Sequence, residues 1–180
     1  MSLASTNQSE HVVLVDAFDN DIGTMGKMEA HQVGALHRAF SVFVFNSTGE
    51  LLLQRRAVDK YHSGNLWTNT CCSHPRAGEP TLDAAHRRLR EEMGMACDLT
   101  DMFSFTYRTE FDDGLIEHEI DHVFVGYSDE APNPVPSEVS MVRYSAPDTI
   151  RREIQESPQI FTTWFQLCFE RVIDDILQEK

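Results

Sequence analysis

Apolar positions recur mainly at a period of two through the first half of the chain. In three later stretches they recur near 3.6, which predicts strands first and helices among and after them. HVVLVDA (11–17) is a β-branched run ended by the turn-rich FDNDIG and reads as a strand. RAFSVFVFN (38–46), the turn STGE and LLLQRRA (51–57) predict a hairpin with alternating faces. Residues 58–80 carry Ser63-Gly64-Asn65, Pro75, Gly78 and Pro80 and read as loop. Thr81 can cap a helix running to about Met93, with Gly94 stopping it and Leu82, Ala85, Leu89 and Met93 facing a core.

Strands are expected at 103–111 and 117–127 around Asp112-Asp113-Gly114, and at 141–146 after the exposed, proline-rich DEAPNPVPSE (129–138). Two helices, near 147–156 and 160–178, close the chain on either side of Ser157-Pro158. The order of elements implies a mixed sheet covered by helices on its faces, an α+β or α/β sandwich. We expect one domain over 11–180 behind a flexible tail at 1–10.

Composition narrows the setting. At 180 residues and 41% hydrophobic, the chain can bury one substantial core. No run reaches the ~18–20 apolar residues of a membrane span, and MSLASTNQSE lacks a signal peptide's basic start and apolar run. A cytoplasmic protein with no membrane partner is expected. The four cysteines have no framework spacing, which suits reduced thiols. A net charge of −14 argues against nucleic acid. Residues 27–90 nevertheless hold nine of the fifteen Lys/Arg and five of the twenty-nine Asp/Glu, a basic island suited to a small anionic ligand. Monomer and weak homodimer both remain open.

The stretch WTNTCCSHPRAGEPTLDAAHRRLREEMG (67–94) concentrates the chemistry. Its helix puts Arg88 and Glu92 four residues apart on one face, ordinarily a surface pair worth a few tenths of a kcal/mol. The wider pattern is an altered Nudix box, G-x5-E-x7-R-E-U-x-E-E-x-G-U. Glu79, Arg87, Leu89, Glu91, Glu92, Gly94 and Met95 match it, Ser73 replaces the first glycine and Arg88 replaces the central glutamate. A guanidinium there removes a metal ligand and adds a phosphate clamp, so the helix should hold a diphosphate without readily cutting it. Glu92 can still hold a diphosphate-bridging magnesium. Lys27, Arg56 and Lys60 are further candidates to grip that anion, although each alone is more often solvated surface.

His31, His37 and His74, with Glu117 and Glu119 two apart on one strand face, form a mixed nitrogen and oxygen shell. Manganese or magnesium suits it, and zinc is an alternative. The spacing is weak, because His11, His62, His86, His118 and His122 show that histidine is common in this chain. Cys72, between Asn69 and His74, favours thiolate chemistry over the usual fate of a small buried hydrophobe, and Cys71 is the better structural candidate. Trp164, in FTTWF, is by default a core aromatic whose face could also stabilise a cation.

Taken together, AHQVGALHRAFSVFVFN, LLLQRRA, LWTNTCCSHP, the box ending REEMG, the GLIEHE strand and FTTWF resemble the type 1 isopentenyl-diphosphate Δ-isomerases of the Nudix superfamily. The resemblance implies interconversion of isopentenyl and dimethylallyl diphosphate by protonation and deprotonation through a tertiary carbocation. It implies Cys72 and Glu119 as acid/base groups, Tyr107 assisting Glu119, and Trp164 against the cation. Lys27, Arg56, Lys60 and Arg88 would hold the diphosphate, and Glu92 its magnesium. A second divalent ion would sit in the shell of His31, His37, His74, Glu117 and Glu119, and no flavin is implied. Two rivals are a Nudix pyrophosphohydrolase, drawn from Glu79, Glu91 and Glu92, and a metal- or thiol-sensing module built on the histidines and Cys71–Cys72.

Overall fold

A computed structural model describes residues 10–178, so nearly all of the expected N-terminal tail lies outside the described residues. Strand β3 (His37–Phe45) organises the rest. Along its whole length it pairs in parallel with β8 (Ile116–Tyr127), from His37 opposite Glu119 to Phe45 opposite Tyr127. Its other edge is shared in succession by three antiparallel partners. These are β1 (His11–Val15) at His37, β6 (Cys71–Ser73) at Phe40–Val42, and β4 (Leu51–Arg56) at Phe45. The predicted hairpin therefore exists but splays after its turn.

Residues 67–73 fill the wedge, with β5 (Trp67–Thr68) pairing with β4 and β6 with β3. Polar side chains make the bonds that the diverging ladders lose. Thr70 Oγ1 accepts from Val44 N at 2.9 Å and donates to Leu52 O at 2.7 Å, while Asn69 Nδ2 donates to Val42 O at 3.2 Å. The expected loop over 58–80 thus contains two short strands. Periodicity cannot reveal them, because strands of two and three residues are too short to display a period.

Strand β7 (Leu99–Glu110) pairs with β8, and β9 (Val139–Ser145) borders β4. Two further elements fall where turn or loop was expected. β2 (Asp21–Gly26) pairs with β1, and α1 (Lys27–Val33) carries His31. Both are short, and the exposed β2 lacks an apolar row.

Helices cover both faces, as the element order implied. Helix α2 (Thr81–Met93) packs Ala84, Ala85, Leu89 and Met93 against Phe40, Val42, Val44 and Phe124. Helices α3 (Pro147–Glu156) and α4 (Thr163–Gln178) pack Ile150, Trp164, Phe165 and Phe169 against Phe43, Leu53, Val123 and Val125 on the opposite face. The two faces follow the even and odd residues of β3 and β8. These strands are buried on both sides, so their apolar runs are nearly continuous rather than alternating. Leu82, expected in the core, is 39% exposed, and Ala84 takes its place. Thr81 makes no side-chain cap, and Pro80 stands at the N-cap. A 3-10 turn at Pro158–Ile160 precedes α4, which begins three residues later than expected.

Gly94 ends α2 in the left-handed conformation at φ +62°, and a Cβ there would lie 2.7 Å from Asn133 O. Gly94→Ala should therefore destabilise the fold by about 1–3 kcal/mol, measured as a lower urea midpoint with unchanged slope. A midpoint within error of wild type would show that the loop yields freely.

Candidate functional site

The odd-numbered row of β8 changes character along its length. Val123 and Val125 belong to the apolar core, whereas Asp121, Glu119 and Glu117 are buried carboxyls on the same face. The structure supplies partners for each. Glu119 Oε1 lies 2.9 Å from His74 Nε2 and 3.2 Å from His37 Nε2, and Tyr107, opposite it on β7, donates to Oε2 at 2.6 Å. Tyr107 also reaches Glu117 Oε2 at 3.0 Å, and Ser41 donates to Asp121 Oδ2 at 2.8 Å.

Burial works against an ionised Glu119, but its contacts with the His37 and His74 rings outweigh burial and hold it well below the usual carboxylate range. Burial, reinforced by the charge of Glu119, pushes Glu117 and Asp121 well upward. Like charges in a row push the proton affinities of neighbouring carboxyls apart in this way.

The imidazoles converge on the same place. His31 Nδ1 meets Lys27 O at 2.7 Å and His37 Nδ1 meets Ala35 O at 2.8 Å, which leaves each Nε2 as a lone-pair donor turned inward. Burial lowers His31 to about 4 and His74 to about 3. His37 also feels burial, but Glu119 outweighs it and raises this ring. Donor atoms of His31, His37, His74 and Glu119 all lie within 4.8 Å of one another, and those of His31, His62 and Glu117 form a second such group. His37 Nε2 is buried without a well-aligned hydrogen bond. A cluster of imidazole nitrogens and carboxyl oxygens with an orphaned ring nitrogen suits a divalent cation. Glu117 stands with His62 rather than in the first group, and His62 was passed over because nothing in its loop sequence marks it.

Across the site, Cys72 on β6 lies opposite Ser41 of β3 and packs toward the α4 face, while Cys71 turns into the α2 core. Burial pushes the Cys72 thiol up to about 12, although Arg56 opposes the shift. Cys72 is thus a neutral thiol, not the thiolate expected from its loop setting. Desolvation outweighs the guanidinium, whose Nη1 lies 3.7 Å from the sulfur. Arg56 itself is buried beneath Trp164, 5.3 Å from the ring, and Trp164 donates through Nε1 to Asn69 Oδ1 at 3.3 Å.

The third wall is basic. Arg88 contacts Glu92, which also accepts from Gln54 Nε2 at 3.2 Å, and Arg88 reaches Glu138 Oε2 at 3.3 Å. Lys60 contacts Glu138 as well, and Lys27 lies 2.9 Å from Glu10 Oε2 and over the Tyr61 ring. Glu79 and Arg87 of the box form a forked pair at 2.7 and 2.8 Å that braces the loop against α2.

One pocket, partly open to solvent, is lined by Lys27, Arg56, Lys60, Arg88 and Glu92. Cys72, His74, Tyr107, Glu117, Glu119 and Trp164 share its walls. Every residue singled out from the sequence for acid/base work or diphosphate binding is present, while His31 and His37 stand behind it. Gln54, His62, Asp121 and Glu138 line it too and were not foreseen.

Residues 35–165 match the NUDIX domain family. The chain is 56% identical to an isopentenyl-diphosphate Delta-isomerase of Pectobacterium atrosepticum, covering 91% of each chain. It is 53% identical to isopentenyl-diphosphate Delta-isomerase 2 of Aromatoleum aromaticum, covering 91% of this chain and 87% of that one. Among solved structures, one from Deinococcus radiodurans superposes with a TM-score of 0.69 at 20% identity, covering 82% of this chain and 90% of that one. A MutT protein from Methanosarcina mazei gives 0.64 at 18%, covering 81% and 96%. At that identity the likeness is one of fold.

The protonated Asp121 yields a pH prediction. The unfolded chain releases this proton above about 3.8, whereas the folded chain keeps it to a much higher pH. The native state then binds more protons, so Asp121 erodes stability as pH rises from that value toward its raised native one. Asp121→Asn lacks the ionisation and should gain on wild type between pH 4.5 and pH 7.5. Urea midpoints of both chelator-treated proteins at the two pH values check this, and a difference that is unchanged or larger in acid would contradict it.

Proposed function

Because the chain belongs to the Nudix superfamily and, within it, to the isopentenyl-diphosphate Δ-isomerases, we propose that it interconverts isopentenyl and dimethylallyl diphosphate by the type 1 route. The observation that carries this reading is the union in one pocket of a half-buried thiol, a Tyr107–Glu119 pair and an indole face, with Arg88 where a hydrolase would have a carboxylate.

The diphosphate docks against Lys27, Lys60 and Arg88, which also line the pocket together. Arg56 lies deeper, against Cys72 and Trp164, and closes the anion end against the hydrocarbon end. Docking must displace the Glu138 contacts of Lys60 and Arg88, so ligand charge replaces a carboxylate already in place. Glu92 would hold a magnesium ion that offsets part of the diphosphate charge.

The five-carbon end meets Cys72 on one side and Glu119 with Tyr107 on the other. These come from β6 and β8, on opposite edges of β3. One side gives a proton to the terminal methylene carbon, leaving a tertiary cation at the branched carbon. The other takes a proton from the carbon next to the phosphate-bearing one, and the double bond re-forms there. The reverse reaction exchanges the roles. Trp164 presents its ring to the cation, a contact worth ~2 kcal/mol or more in a dry site. His31, His37, His74 and Glu119, with Glu117 beside them, would hold a second divalent ion, manganese or magnesium with zinc as the alternative. Bound there, it supplies positive charge that keeps the carboxylate end in place and its hydroxyl partner acidic.

The hydrolase alternative has one feature in its favour, the intact Glu91 and Glu92. Both are tied to arginine, Glu91 to Arg87 and Arg88, and Glu92 to Arg88.

Incubation with magnesium and isopentenyl diphosphate should yield the dimethylallyl isomer without released phosphate. Phosphate without isomer would overturn the reading. Cys72→Ala and Glu119→Gln should each lower kcat by about 10²–10⁴-fold with far-ultraviolet circular dichroism unchanged. Near-normal turnover would remove that residue from proton transfer.

A further inference from the structure

His62 lies in the loop between β4 and β5 and is buried, 6% exposed. Its ring stacks on Phe111 at 4.8 Å and stands 5.5 Å from His31. Two neighbours adopt the left-handed region without being glycine, Ser63 at φ +52° and Asn65 at φ +65°. Such conformations cost about 1–3 kcal/mol each and persist where the surroundings impose them. The loop is tied down inside, since Arg56 Nη2 reaches His62 O at 3.4 Å.

The ring's two nitrogens have different surroundings. Nδ1 meets Ser63 Oγ at 3.1 Å. Nε2 lies 3.0 Å from Glu117 Oε1 yet has no aligned hydrogen bond and no access to water. An orphaned nitrogen facing a carboxylate oxygen is a poor arrangement alone and a good one around a cation. Its geometry repeats that of His37, whose unpartnered Nε2 faces Glu119 Oε1 at 3.2 Å. His31 belongs to both groups, joining His37, His74 and Glu119 on one side to His62 and Glu117 on the other.

The geometry points to His62 as a fourth imidazole donor of the divalent-metal centre, its Nε2 completing with Glu117 the side that His37, His74 and Glu119 leave open. This rests on the metal-centre reading above. The two groups share His31 and are otherwise separate, so His62 and Glu117 would close in on the ion from the side opposite the first group. The arrangement also accounts for the buried Glu117, which the first group of donors leaves out.

The test uses the full chain, stripped with chelator and reloaded with Co²⁺ alone, with X-ray absorption counting the coordinated imidazoles. Competition with a chromophoric chelator gives the affinity of wild type, His62→Gln and His62→Phe, the last retaining the stack on Phe111. Four imidazoles are expected in wild type and three in the variants, with Co²⁺ bound about 10–100-fold more weakly, a range seen for changes at metal shells. Three imidazoles in wild type would overturn the assignment even if affinity fell in the variants, because His62 would then only orient Glu117. The wild-type count decides the matter should neither variant fold. A chain that takes up no Co²⁺ would instead overturn the metal centre itself, a distinguishable failure.

Discussion

Three carboxyls in one buried row of β8 are the constraint to which the site answers. Removing a carboxylate from water costs several kcal/mol unless it is neutralised or well partnered. Burial drives Glu117 and Asp121 toward their neutral forms, and His37, His74 and Tyr107 favour the charge on Glu119. Each partner arrives on an element whose place is set by pairing with β8 or β3. Tyr107 comes across the β7 ladder, His37 from the start of β3, and His74 from the end of β6. The valines that continue the row beyond Asp121 join the core under α4 and anchor the strand that carries the acids. Fold and chemistry share one strand, apolar at one end and acidic at the other.

The box helix shows how one altered residue redirects an inherited frame. Glu79 and Arg87 have become a brace, and Gly94 still closes the helix. With Arg88 in place of a carboxylate, Glu91 and Glu92 of the helix are engaged by arginine. Glu138, from the segment before β9, adds a carboxylate to the same cationic group. The basic wall is thus already compensated internally, with Lys60 and Arg88 sharing the Glu138 carboxylate.

Much of this was legible in the order of residues. Helix α2 and its glycine stop follow from periodicity and capping chemistry, and the β7–β8 hairpin from its Asp-Asp-Gly turn. Cys72, Glu119, Tyr107 and Trp164 were marked by resemblance, and the pocket brings them together. Other features depend on partners distant in the chain. The strands at 67–73 are held by Asn69 and Thr70 bridging two diverging strands, which no local pattern encodes. The raised thiol pKa of Cys72 follows from desolvation in the pocket wall, which its loop-like sequence did not suggest. His62 looked like one more histidine until the loop folded it against Glu117.

The central claim is that this pocket moves protons on carbon rather than cutting phosphorus–oxygen bonds. Deuterium incorporation tests it most directly. With magnesium and isopentenyl diphosphate in deuterium oxide, the account predicts deuterium in the carbon skeletons of the recovered isomers, read by mass spectrometry, with the diphosphate intact. Isomerisation without deuterium uptake, or loss of phosphate from an unlabelled skeleton, would contradict it.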